Sequence, residues 1–177
     1  MSSCKKITHA LCLLIAMNSA VVAAQSCQTA TIPATTPSNR FTVHSNGTVT
    51  DSKTGLMWKQ CSEGLSGADC RAGGATSYTW SEALQQAQTV NNNGGYAGYS
   101  DWRVPNVKEL RSITERQCYS PAINATIFPN TVSTYYWSSS PVAYDSDYAW
   151  VVGFYYGNDD WDYKDDGSYV RLVRSGQ

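Results

Sequence analysis

Arg103-Val-Pro-Asn-Val-Lys-Glu-Leu110 decides how the middle of this chain is read. Pro105 ends an extended segment, Asn106 is placed to cap a helix, and Glu109, three residues on, completes a capping box. Leu110 and Ile113 then fall on the inward side. Upstream, Thr79-Trp-Ser-Glu82 is a second capping box. Behind it Trp80, Ala83, Leu84, Ala87 and Val90 recur at spacings of three and four, which predicts one apolar helix face. Asn91 to Gly95 ends that helix, because Asn and Gly tolerate left-handed backbone.

Outward from this pair of helices the pattern is that of strands. Phe41 and Val43 alternate with polar residues, Asn46-Gly47 offers a tight hairpin turn, and Val49 begins the return. A turn at Asp51 to Gly55 leads into Leu56-Met57-Trp58, and Glu63 to Thr76 reads as a Gly-rich surface loop. Beyond the helices, Tyr135 to Trp137, Tyr148 to Tyr156 and Ser168 to Arg174 are three further candidate strands. Alternation in the second of them directs Trp150, Val152 and Phe154 at the core. Strands, two helices, then strands predict an α+β domain with two helices packed on a small twisted antiparallel sheet.

The chain has 177 residues, enough for one ordinary domain. Thirteen basic and 14 acidic residues give a net charge of −1, which excludes the cationic surface that nucleic acid requires. Residues 1–24 read as a secretory signal: Lys5 and Lys6 form its positive start, Leu11 to Ala24 its apolar core, and Val22 and Ala24 suit cleavage before Gln25. Residues 25–39 are then an extended N-terminal arm, 40–177 the domain, and no apolar run in the mature chain is long enough to span a bilayer. The expected address is secreted or periplasmic. Cleavage leaves Cys27, Cys61, Cys70 and Cys118, an even count that an exported chain uses for two disulfides in one of three pairings. Cys61 and Cys70 bracket one short loop and close it most cheaply, leaving Cys27 for Cys118. Zinc is not expected, since His44 is the single histidine left to join those thiols.

Four stretches recur in this order in one known family: Asp51-Ser-Lys-Thr-Gly-Leu-Met-Trp58, then Gly98-Tyr-Ser-Asp-Trp-Arg-Val-Pro-Asn-Val-Lys-Glu-Leu110, Tyr136-Trp-Ser-Ser-Ser140 and Tyr169-Val-Arg-Leu-Val-Arg174. Over residues 40–177 the chain resembles the C-terminal domain of the Legionella collagen-like protein, a family first described as a domain of unknown function. The resemblance implies a C-type-lectin-like fold, in the branch that includes formylglycine-generating enzymes. There Arg103 to Leu110 is similar to an Arg-Leu-Pro-Thr-x-x-Glu-Trp helix opening. Asp101, Arg103, Asn106 and Glu109 are accordingly read as architecture. This chain lacks collagen-like repeats, so the trimeric, multivalent binding they would confer is not carried over.

Function is weighed between an enzyme and a recognition module. Formylglycine-type chemistry needs reactive thiols, and the four mature cysteines are better used as bridges. His44 stands alone on a strand without a nucleophile-elbow signature, and no two acidic residues are set apart as a glycosidase pair. The aromatic residues argue for recognition. Of six Trp, twelve Tyr and three Phe, more than half lie between Tyr135 and Tyr169. The loops from Tyr144 to Gly167 carry Tyr144, Tyr155, Tyr156, Asn158, Asp159, Asp160, Trp161, Asp162 and Tyr163, a mixture suited to rigid contacts and adaptable hydrogen bonds. These nine residues are the expected ligand-binding set, with no catalytic residue and no metal ligand among them. No cofactor is expected. Calcium is conceivable, because Asp159, Asp160, Asp162, Asp165 and Asp166 supply hard oxygens, but their spacing is not that of an EF-hand and a solvated acidic loop explains them better. Segment 145–166 holds seven Asp against Lys164 alone, so a sulfated polymer fits poorly. The expected partner is a neutral glycan or a protein met outside the cytoplasm, bound by a monomer.

Overall fold

A computed structural model of the chain describes residues 24–176, and the leader expected at 1–24 lies, but for Ala24, outside the described residues. Ser26–Cys27 (β1) comes first, and one 3-10 turn at Ser38–Arg40 leads into the hairpin Phe41–Val43 (β2) and Thr48–Asp51 (β3). Leu56–Lys59 (β4) follows, then the short strands Leu65–Ser66 (β5), Ala72–Gly73 (β6) and Ser77–Tyr78 (β7). Next come the helix Trp80–Asn92 (α1), the turn of helix Val107–Arg111 (α2) and Cys118–Tyr119 (β8). Tyr135–Pro141 (β9), Tyr148–Gly153 (β10) and Asn158–Tyr163 (β11) are the longest strands, and Ser168–Tyr169 (β12) and Val173–Ser175 (β13) close the chain.

Two main sheets result. One has the order β11-β10-β9-β12-β7 and the other β13-β4-β3-β2, with β1-β8 and β5-β6 as two-stranded accessories. Among the described residues the single parallel contact joins β12 to β9. The Asn46-Gly47 turn forms as its sequence demands, with Gly47 at φ 80° and Val43 paired to Val49.

The five-stranded sheet is covered on both faces. Tyr136, Val152 and Phe154 enter a core with Trp58, Leu110, Ile113 and Phe128. Their neighbours Trp137, Ala149 and Val151 point the opposite way, toward Ala83 and Ala87 of α1 and toward Trp102 and Leu172. Strands buried on both faces lose the apolar-polar alternation that a one-sided sheet shows. That is why Trp150 is only partly buried at the margin, while Ala149 and Val151, read as outward, are fully buried.

The expected arrangement, two helices on one small sheet in a C-type-lectin-like domain, is overturned. Among the described residues only α1 is a helix of ordinary length, 13 residues against five for α2. The remainder is several sheets. Both predicted capping boxes form: the Thr79 and Asn106 side chains accept from the third amide on, and Glu82 and Glu109 reach back to the cap amide. A capping box specifies where a helix starts and says nothing about its length. Ile113 is buried, as its spacing predicts, but from the turn that follows α2. The predicted strand Ser168 to Arg174 also divides, β12 joining one main sheet and β13 the other.

Two disulfides close the domain. Cys27 is bonded to Cys118, tying β1 to β8 across 91 residues, and Cys61 to Cys70 within the loop. Both are the pairs expected. Among the described residues no helix is long and apolar enough to cross a membrane.

Candidate ligand-binding face

Several charged residues of the four motifs, and of the segments beside them, are bound to the protein itself. Asp51 is fully buried and takes two hydrogen bonds from the Arg40 guanidinium, at 2.7 and 2.5 Å, and one from the Thr54 hydroxyl. Burial pushes its carboxyl up, but the bonds from Arg40, Thr54 and the Lys53 amide outweigh this and hold it below the ordinary carboxylate range. Lys59 pairs with Glu63 at 2.6 Å, and Gln86 of α1 donates to the second Glu63 oxygen. Arg103 grips Glu109 with two bonds of 2.7 Å, and Arg174 reaches Asp101 at 2.7 Å.

Arg171 lies where the chain crosses between the two main sheets. Its side chain is fully buried and donates to the carbonyls of Lys59 and Gln60, to Ser62 Oγ at 3.2 Å and to Thr131 Oγ1 at 2.7 Å. Its guanidinium also stacks on Phe128, 4.8 Å from the ring centroid. Tyr136 completes the cluster through the Ser62 hydroxyl at 2.7 Å. The buried members of these motifs build the scaffold, while Asp101 and Arg103, though paired, keep 56% and 43% of their side chains exposed.

The hairpin β10-β11 is different. Residues Asn158 to Tyr163, read from sequence as loop, form the edge strand of the five-stranded sheet. Alternation therefore divides the expected binding set between two faces. Asp159, Trp161 and Tyr163 lie opposite Val152, Trp150 and Tyr148, on the side of α2. Asn158, Asp160 and Asp162 lie opposite Gly153, Val151 and Ala149, on the other.

On the first face the rings form one cluster. Tyr148 meets Trp161 edge-on at 4.8 Å and Tyr163 at 4.1 Å. Trp161 and Tyr163 nonetheless stay 47% and 54% exposed, a large apolar surface left open to solvent. Arg111 of α2 pairs with Asp159 at 3.1 Å and places a charged, hydrogen-bonding rim beside the rings. On the second face the Tyr135 hydroxyl donates to Asp160 at 3.3 Å. Desolvation, and then the charges of Asp166 and Asp160, push the Asp162 carboxyl up. Tyr155 and Tyr156 occupy the turn joining the two strands, and Tyr144 stands at the opposite end of β10, 77% exposed. The structure thus brings Asp159, Trp161 and Tyr163 together, and sets the other six elsewhere around the hairpin.

Reasoning from sequence missed Tyr148 and Trp150 as parts of the aromatic face. Their signal is present: Tyr148 and Tyr163, and Trp150 and Trp161, are spaced symmetrically about Tyr155-Tyr156, as partners in a hairpin must be. Arg111 and Tyr135 carry no such local signal, since folding alone brings them alongside. Among the described residues no three acidic, histidine or cysteine side chains converge as a metal's donors would.

The fold and the face define a disulfide-stapled, sheet-rich domain that holds a rigid aromatic surface on its edge hairpin. Residues 47–174 match the Lcl C-terminal domain, and the chain belongs to that family. No curated protein matches it.

Proposed function

We propose that this chain is an exported, non-enzymatic recognition module, working as a monomer in the periplasm or outside the cell, and that it holds a neutral glycan on the aromatic face of β10-β11. The observation that carries this reading is the Tyr148, Trp161 and Tyr163 cluster, with Trp161 and Tyr163 left exposed beside a strand, β10, whose Ala149, Val151 and Val152 are fully buried. The C–H faces of a sugar ring stack on such rings, and Arg111 and Asp159 stand at the rim to exchange hydrogen bonds with its hydroxyls. The rings are already packed on one another, so little rotamer freedom is lost on binding.

Two further features support the reading. All four cysteines of the described domain are bridged, which leaves no thiol there for formylglycine-type chemistry. Asp160 and Asp162 accept the amides of Trp161 and Tyr163, at 2.9 and 3.0 Å, so the edge strand occupies its own backbone donors and resists pairing with another copy. A panel of neutral and sulfated glycans on the oxidised mature domain tests the proposal. Saturable binding of neutral glycans is expected. Binding confined to sulfated ones, or to none, overturns it.

A further inference from the structure

The turn between β10 and β11 holds a concavity that the aromatic face does not use. A cleft of about 330 Å3 opens there between Tyr135, Tyr155, Tyr156 and Asn158, with Gly153 as part of its wall. A Cβ at Gly153 would stand 3.0 Å from the Tyr135 ring and 3.1 Å from Asn158 Oδ1, so this wall is bare backbone because the position is glycine. Tyr155 and Tyr156 meet nearly at a right angle, centroids 4.4 Å apart and planes at 86°, and form a corner of two aromatic rings. Both are exposed, Tyr156 by 70%.

The nearest cations lie outside the cleft: Arg116 lines an adjoining pocket with Tyr156, and Arg111 is paired with Asp159. No cationic residue lines the cleft, and Asp160 sits behind the Tyr135 ring at the end of the hydroxyl's hydrogen bond. Among the described residues Asp160 belongs to no ion pair. Desolvation, followed by the Asp160 charge, pushes the Tyr135 phenol up, which keeps that ring neutral and its hydroxyl a donor.

We propose that this cleft binds a quaternary ammonium group, seated in the corner of Tyr155 and Tyr156 with Tyr135 as a third wall and Asp160 as the counter-charge. A cation over aromatic faces is held by the ring quadrupoles. Against the rings a primary ammonium would give up hydrogen bonds to water, which only Ser133, Thr134 and Asn158 at the cleft's margin could replace. A trimethylammonium group has no N–H to satisfy and forfeits nothing of that kind. This cleft takes a different ligand through different residues from the glycan face, and neither site needs the other.

Titration of the mature, oxidised domain with choline chloride, followed by amide chemical shifts, tests this. Saturable shifts confined to residues 133–135 and 153–160 are expected. The neutral isostere 3,3-dimethyl-1-butanol should bind about tenfold more weakly, since shape without charge loses the cation–π attraction. Tyr156→Ala should weaken choline about tenfold and Asp160→Asn about threefold with melting unchanged, whereas Trp161→Ala should leave choline binding intact. Phosphocholine separates the sources: binding as tight as choline's points to a lipid headgroup, and weaker binding to the free cation. No saturable shift with choline, or equal affinity for the neutral isostere, overturns the proposal and leaves the glycan reading untouched.

Discussion

Asp51 and Asp162 are both strand aspartates, and the molecule treats them in opposite ways. Asp51 is fully buried against Arg40, and its carboxyl is held low by the bonds it accepts. Asp162, on the edge strand, is pushed up by desolvation and then by the like charges around it. The same contrast holds between the regions they belong to. Around β3, β4 and β13, charged side chains are paired across the fold and define its geometry, as Arg171 does with four separate acceptors. On β10-β11 Asp160 and Asp162 accept the next amide, Asp159 meets Arg111 at the surface, and the rings beside them stay in water. A paired buried charge makes one structure unique, and an unpaired surface remains free for a partner.

The largest effect should come from breaking the first region. Asp51→Ala leaves the Arg40 charge buried without its partner, and should cost about 3–5 kcal/mol in a denaturant melt. The pH dependence follows from the same contact. With its folded value lowered below 3.8, Asp51 contributes stability that is fully present above that value and is lost as pH falls through the lower one. The acid limb of the stability curve should therefore shrink in Asp51→Ala. A loss under 1 kcal/mol, or an unchanged acid limb, would break the comparison. Arg171→Met keeps the apolar bulk but removes the donors to Lys59, Gln60, Ser62 and Thr131, and should cost about 2–3 kcal/mol by the same measurement.

The smallest effect should have the opposite sign. Asp162 is raised above its unfolded value, so its contribution favours the folded state below that value and is lost as pH rises through the folded one. Asp162→Asn should therefore raise stability at neutral pH, by about 0.5 kcal/mol or less, the usual range for changes near the surface. Equal destabilisation by Asp162→Asn and Asp51→Ala would mean that the hairpin carboxylates are structural after all.

Local chemistry was readable in the sequence and pairing was not. The two capping boxes, the Asn46-Gly47 turn and the α1 face each rest on residues within a few positions of one another, and each forms as read. The Cys61–Cys70 bridge is legible for the same reason. The sheets depend on contacts such as Tyr169 with Tyr136 and Val173 with Trp58, which no window of sequence contains. The α2 segment was overread because its start is marked by Asn106 and Glu109 while its end carries no comparable signal. The candidate site suffered similarly. Its aromatic residues were recognisable by composition, but reading Asn158 to Tyr163 as loop concealed that neighbours in sequence stand on opposite faces of a strand.

The central claim is that the motifs build and the hairpin binds. Affinity for a neutral glycan, measured beside melting temperature for Trp161→Ala and Tyr163→Ala, tests it most directly. Each change should weaken binding by about 2 kcal/mol while barely moving the melting temperature, because both rings lie outside the buried core. Unfolding of both variants would make the rings a cladding for the sheet, and full binding by both in a folded protein would place the working face elsewhere.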